Sequence, residues 1–225
     1  MIRSADIAPL AGRTALSGLT RMIWISARTL WPAQLAVIVL SAGMVAATAR
    51  GIEGLYPTEA DRAQYAATVG VSTVNIAFNG RGYNLTSLGG ITAFEIGITG
   101  QLLYPLVGVI LAIHLTRRQE EAGRIELLTA GRLGALTPLG AGVVLVVADA
   151  AIAGAMIAAA MIVVGLPGAG AAWYGAGAAA CIVFFGALGL LLGQLCQSAR
   201  TAYLAGACVV TAVFLVRAEI GRAHV

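Results

Sequence analysis

Five long apolar runs constrain this chain more than any other feature of its sequence. A helix needs about 20 mostly apolar residues to cross the ~30 Å hydrocarbon core of a membrane. Each run reaches or approaches that length, and the predicted spans cover residues 31–49, 91–115, 136–166, 171–196 and 201–216. The sequence therefore predicts an all-α, polytopic transmembrane helix bundle with about five spans.

The composition agrees with that fold class and excludes others. Of the 225 residues, 59% are hydrophobic and a further 29 are glycine, whereas only 11% are charged. An ordinary soluble domain has about 25% charged residues, so a disordered chain and a cytosolic enzyme are both excluded. All 14 basic residues are arginine. In a membrane protein such residues set the topology. We therefore expect the positively charged side chains to interact with the lipid bilayer and not with a nucleic acid.

The arginines orient the predicted spans in a cell membrane, because cytoplasmic loops carry an excess of basic residues. With the N-terminus in the cytoplasm, and leaving aside Arg222 in the C-terminal tail, nine arginines lie on the inner side and four on the outer side. The opposite orientation reverses this bias. We therefore predict a cytoplasmic N-terminus and an external loop over residues 50–90.

Residues 1–30 are predicted to form a cytoplasmic tail with an amphipathic helix on the membrane surface over residues 12–30. Apolar and basic side chains alternate there at near-helical spacing, which is typical of interfacial helices; the apolar ones are Leu16, Leu19, Ile23 and Leu30. A basic tail with chance periodicity is the alternative. A signal peptide competes for the first run, but about thirty residues precede it, which favours a retained span.

The sequence contains no motif for catalysis or cofactor binding. It has no glycine-rich phosphate loop, no dinucleotide-binding fingerprint and no zinc-protease motif. Cys181, Cys196 and Cys208 lie in or beside apolar runs without metal-binding spacing, which is typical of packing residues. We therefore expect that the chain is not an enzyme and that it has no catalytic residue, cofactor or metal.

Two acidic residues in the spans are candidates for a translocation path, since a charge at the membrane centre costs ~2.5–3.5 kcal/mol. Asp149 falls near the middle of the third span. It either lines such a path or forms a structural hydrogen bond between helices, and the sequence leaves both open. Glu95 lies near the outer end of the second span, where we expect it to reach water.

Three local patterns predict finer structure. Gly189 and Gly193, with Gly186 one turn earlier, permit a close contact between helices. Pro105 in the second span predicts a kink. In the external loop, Thr58 is placed to cap a helix over residues 59–69.

The densest charge cluster covers residues 116–132, between the second and third spans. Glu120 and Arg124 have the i,i+4 spacing of helical ion pairs, and apolar residues follow them. The pattern predicts a short cytoplasmic amphipathic helix that lies on the membrane or docks on another protein. A solvated loop is the alternative.

This cluster resembles the first cytoplasmic loop of ABC-type export permeases through Gly123-Arg124-Ile125-Glu126-Leu127-Leu128. Further pieces resemble the exporters of polyketide antibiotics, a narrower group within those permeases. These pieces are Tyr56-Pro57-Thr58, residues 65–70, residues 88–93 and residues 194–200.

The resemblance implies the membrane-spanning permease subunit of an ATP-driven exporter of amphiphilic small molecules, including antibiotics or drugs. A separate ATPase subunit would energise it, and the family's loop is expected to contact that subunit. The matching residues are Glu120, Glu121, Gly123, Arg124 and Glu126. The alternatives are a membrane scaffold or assembly protein without transport activity, and a proton-coupled carrier that uses Asp149.

The resemblance also implies a longer protein, because family members have two halves of six spans each. We therefore expect this chain to be an N-terminal half from a truncated gene model, with a permease domain over residues 31–217. Residues 219–225 also read as a translated sequencing adapter, so we expect the tail over residues 218–225 to be non-native.

Overall fold

The computed structural model describes residues 15–124 and 134–223. Within these residues the secondary structure is helical, without a strand, and five helical segments are long and apolar enough to cross a membrane. The prediction of an all-α, polytopic bundle is therefore confirmed. The five are α1 (Leu19–Leu55), α5 (Gly97–Leu115) with its continuation α6 (Arg117–Glu121), α7 (Thr137–Val163), α8 (Gly168–Leu195) and α9 (Ala199–Ala223).

Helix α1 joins the predicted interfacial helix to the first predicted span without a boundary between residues 30 and 31. It is 37 residues long and passes through Pro32, which corresponds to about 55 Å at 1.5 Å per residue. The first turns of α1 continue into the span because they pack on the bundle: the buried side chain of Met22 contacts Ala141 of α7. The apolar face of this segment therefore contacts the bundle itself.

The spans pack around α8, which lies between α5 and α7, while α1 covers the other side of α7. Helix α9 packs against α5. The close helix contact that was predicted for the glycines of α8 is made with α5. A Cβ on Gly189 would come within 2.8 Å of the Val109 carbonyl oxygen, and a Cβ on Gly108 within 2.3 Å of the Ile182 carbonyl oxygen.

Three short helices cover one end of the bundle: α2 (Glu59–Thr68), α3 (Thr73–Asn79) and α4 (Leu88–Glu95). The predicted cap of α2 is confirmed, because the Thr58 hydroxyl accepts from the Asp61 amide at 3.1 Å. In return, the hydroxyl and the amide of Thr58 donate to the Asp61 carboxylate, which lowers the pKa of Asp61. This reciprocal pair fixes the start of α2.

The second predicted span is interrupted at Ile96, which separates α4 from α5, and not at Pro105, through which α5 continues. Asn79, the last residue of α3, lies at this break. Its side-chain oxygen accepts from the Ile98 amide at 3.0 Å, and a Cβ on Gly97 would come within 2.4 Å of its carbonyl oxygen. The break therefore accommodates the end of α3, and the missing side chain of Gly97 makes that approach possible.

Candidate functional site

The charged segment between the second and third spans begins directly after α5 and lies at the opposite end of the bundle from α2–α4. Its helix, α6, covers only the first part of the charge cluster over residues 116–132, because Gly123 ends it. Gly123 has a φ of +68° and its amide donates to the Glu120 carbonyl oxygen at 2.8 Å, which is the left-handed arrangement that terminates helices. Glu126 lies outside the described residues.

Two contacts connect this segment to the start of the last span. The Glu121 carboxylate accepts from the amide of Ala199, the first residue of α9, at 2.6 Å. Arg117 donates to the Gln197 carbonyl oxygen in the turn before α9. A carboxylate at a helix N-terminus is favourable because free amides and the helix dipole present positive charge there. Glu121 therefore acts as a cap for α9 that is supplied from a distant part of the chain.

The predicted ion pair between Glu120 and Arg124 is wrong, because the chain leaves the helical path between them. Glu120 instead pairs with Arg117 at 2.9 Å. Arg124 donates to the Gln119 side-chain oxygen at 2.9 Å, and the Gln119 amide donates to the His114 carbonyl oxygen at 2.9 Å. These bonds hold both ends of the segment against α5 while Glu121 and Arg124 remain exposed.

Asp149 is buried between α7 and α1, with 6% of its surface exposed. Its carboxylate accepts from the side-chain amide of Gln34 in α1 at 2.7 Å, and Gln34 is also buried. This contact is the hydrogen bond between helices that was predicted as one of the two roles of Asp149. Each of the two buried side chains satisfies the other, and either one would lack a hydrogen-bond partner if the other were removed.

Glu95 lies at the end of α4 and accepts a hydrogen bond from the hydroxyl of Tyr65 in α2. Burial and this bond raise the pKa of Tyr65 well above its usual range, so the phenol remains a donor at ordinary pH. The ring of Tyr65 belongs to a buried apolar cluster with Ile52, Ile91 and Phe94. Glu95 and Asp149 thus have different partners in different parts of the bundle.

The sequence indicated the acidic members of these pairs but missed their partners, Gln34 and Tyr65. A signal for Gln34 was present, since it is a polar side chain inside an apolar run. For Tyr65 no such signal existed, because its role depends on how the external loop folds back. Across residues 15–124 and 134–223, no three His, Cys, Asp or Glu side chains are grouped so that they could hold a metal ion.

No protein-family model matches the chain. It is 29% identical over 208 residues to a multidrug efflux system permease protein of Mycobacterium tuberculosis, in a match that covers 92% of this chain. The same match covers 37% of the relative, so the chain spans well under half of that protein's length. This similarity confirms the predicted resemblance to export permeases. Together with the five apolar helices it supports a multi-pass membrane protein related to efflux permeases.

Proposed function

We propose that this chain is part of the membrane-spanning permease of an ATP-driven exporter and that a separate ATPase subunit supplies the energy. Residues 117–124, with Glu126, form the contact for that subunit. The observation that carries the proposal is the hydrogen bond from Ala199 to Glu121, because it links this exposed charged segment to a membrane span. A displacement of the segment by the ATPase subunit is thereby transmitted to α9. Through Arg117 and the end of α5 it also reaches the centre of the bundle.

The charge pattern of the segment favours a protein partner over a passive loop. Arg118, Glu121 and Arg124 are exposed, yet the backbone between them is held by Arg117 and Gln119. A rigid element with exposed charges of both signs suits a specific interface, in which truncating one partner of a desolvated pair costs ~2–5 kcal/mol. Amphiphilic compounds are the proposed cargo, as the resemblance to antibiotic exporters implies, and the relative is named a multidrug efflux permease.

We expect that Arg124→Glu in the native transporter lowers the recovery of the ATPase subunit with the affinity-purified permease by roughly tenfold or more, which corresponds to ~1.4 kcal/mol or more. Glu126→Arg should act in the same way, and both should reduce substrate-stimulated ATP hydrolysis. The amounts of permease in the membrane should stay unchanged, because neither substitution alters an apolar span.

Arg50→Glu is the matched control for this experiment. It reverses an arginine at the other end of the bundle, whose exposed pair with Glu53 is expected to contribute little. If both segment variants recover and stimulate the ATPase like the unmodified permease, residues 117–126 are only a connector. The contact would then have to be sought first in residues 12–30.

We further propose that the N-terminus and α6 are cytoplasmic and that α2–α4 are external, as the arginine distribution indicates. Gln64 in α2 is exposed and suits a test in a background without Cys181, Cys196 and Cys208. With Gln64→Cys, a membrane-impermeant thiol reagent should label intact cells to the same extent as lysed cells. Labelling that requires lysis would reverse the topology.

A further inference from the structure

One face of α1 presents two arginines and two tryptophans near the start of the helix. Arg21, Trp24, Arg28 and Trp31 follow one another at intervals of three or four residues, so their side chains lie on the same face. All four are exposed, and the two tryptophans expose 60% and 56% of their surfaces. The buried residues of this part of α1 lie on the opposite face, so the packing of α1 on the bundle leaves the arginines and tryptophans open.

The uncharged part of α1 places Arg28 at one edge of the hydrocarbon core. The 21 residues from 29 to 49, between Arg28 and Arg50, carry no charge. At 1.5 Å per residue they extend about 32 Å, which matches the ~30 Å hydrocarbon core of a bilayer. Arg28 therefore lies at the level of the lipid headgroups, and Trp24 and Trp31 lie in the interfacial zone that indole rings favour.

The guanidinium group of Arg28 is held by a ring. Its central carbon lies 5.4 Å from the ring centroid of Trp24, which is within the range of cation–π contacts. A guanidinium group is planar and presents its N–H donors as a fork that matches two phosphate oxygens. Arg28 therefore presents a positioned, exposed group that suits a phosphate.

No described carboxylate neutralises this positive charge. The two ion pairs within residues 15–124 and 134–223 use other arginines than Arg21 and Arg28. The first acidic residue of α1 is Glu53, far along the helix, and the acidic residue of α7 is Asp149, which is buried. An anion at this face of α1 therefore has no competitor in either of these two helices.

The same face continues into the hydrocarbon core as an apolar surface, because Leu35 and Val39 follow Trp31 at four-residue spacing and are exposed. A molecule with both an anionic phosphate and a long acyl chain matches the whole face, whereas a free phosphate matches only the arginines. We propose that this face of α1 binds an anionic phospholipid. Arg28 and Arg21 hold its phosphate, and its acyl chain lies along the apolar surface.

Quenching of tryptophan fluorescence by brominated lipids tests which lipid contacts this face. The purified chain carries Trp173→Phe, so that Trp24 and Trp31 are the reporters, and is placed in phosphatidylcholine nanodiscs. A fraction of the lipid is phosphatidylglycerol or phosphatidylcholine with bromine on its acyl chains. Each arginine near an anionic membrane surface favours binding about fivefold. Brominated phosphatidylglycerol should therefore reach half-maximal quenching at a mole fraction roughly tenfold or more below that of brominated phosphatidylcholine.

Three substitutions locate the preference. Arg28→Gln should lower it roughly fivefold, because one of the two phosphate contacts is lost. Arg28→Lys keeps the charge but loses the planar fork, so we expect it to lower the preference roughly twofold or more. Arg200→Gln is the matched control, because it removes an exposed arginine from the first turn of α9, at the same end of the bundle. It should leave the preference unchanged. Each variant is judged by the ratio between its own two lipids, so a change in tryptophan brightness cancels.

The inference is overturned if phosphatidylglycerol is not preferred or if Arg28→Gln retains the full preference. Equal losses in Arg28→Gln and Arg200→Gln, or full retention in Arg28→Lys, also overturn it, since the attraction would then follow overall charge. Glycerol phosphate in solution should not reverse the quenching at a fixed ionic strength, and reversal would show a site for free phosphate instead of a lipid. The nanodisc offers the lipid on both faces and needs neither ATP nor a partner, so the outcome is independent of the proposed topology and export function.

Discussion

Gly175→Leu is expected to separate α7 from α8 and to cost the chain more stability than any other single glycine substitution in these two helices. A Cβ at Gly175 would lie 2.3 Å from the Gly154 carbonyl oxygen and 3.1 Å from the Ala158 Cβ. The approach is reciprocal, since a Cβ at Gly154 would lie 2.5 Å from the Gly175 carbonyl oxygen. The nearest obstacle on each side is a backbone carbonyl oxygen, so only a shift of a whole helix can relieve the clash.

Overpacking a core typically costs ~1–3 kcal/mol and occasionally more, and we expect the upper end of that range or beyond because a helix shift would also open the contact of α8 with α5. The measurement is denaturation of the purified chain by sodium dodecyl sulfate, followed by circular dichroism and tryptophan fluorescence. Gly170→Leu is the control in the same helix, because a Cβ there meets nothing within 4 Å. Equal midpoints for the two variants would contradict the close contact of α7 with α8.

The comparison of these glycines shows how far the sequence could predict the packing. The pattern of Gly186, Gly189 and Gly193 indicated a close helix contact, and the structure places one there. Gly154 and Gly175 make a contact at least as close, yet nothing in the sequence distinguished them. In a chain with 29 glycines, spacing alone does not reveal which ones face another backbone.

The charged segment illustrates the same limit for polar contacts. Its position between two spans followed from composition, because charged residues are rare elsewhere in this part of the chain. Its internal pairing did not follow, since Gly123 ends the helix before Arg124 can face Glu120. The contact of Glu121 with Ala199 joins residues 78 positions apart, and such a contact depends on how α8 and α9 return to the end of α5. The break at Ile96 depends in the same way on the docking of Asn79.

The pair of Asp149 and Gln34 separates the two roles that the sequence left open for Asp149. Asp149→Asn retains an oxygen that can accept from the Gln34 amide at the present 2.7 Å geometry, but an amide cannot take up and release a proton. We therefore expect Asp149→Asn to retain the free energy of unfolding within ~0.5 kcal/mol, as a conserved hydrogen bond would. We also expect it to retain most of the ATP-driven transport in the native transporter.

Asp149→Leu should behave differently, because it leaves the buried Gln34 amide without its acceptor. Hydrogen bonds between membrane helices contribute ~0.6 kcal/mol on average and up to about 1.7, while an unsatisfied buried group costs ~1–3 kcal/mol. We expect Asp149→Leu and Gln34→Leu each to lower the free energy of unfolding by about 1–2 kcal/mol. The double variant should lose clearly less than the sum, since it leaves neither group unpaired.

Stability is measured by the same detergent denaturation. Transport is measured as efflux while ATP is maintained and the proton gradient is collapsed. Additive losses in the double variant would show that the two side chains do not stabilise each other. If instead Asp149→Asn abolishes efflux while its stability is unchanged, and efflux stops with the proton gradient, Asp149 carries protons. The proton-coupled carrier would then replace the ATP-driven permease as the better account, because a carboxyl group at this position can take up and release a proton and the amide of the variant cannot.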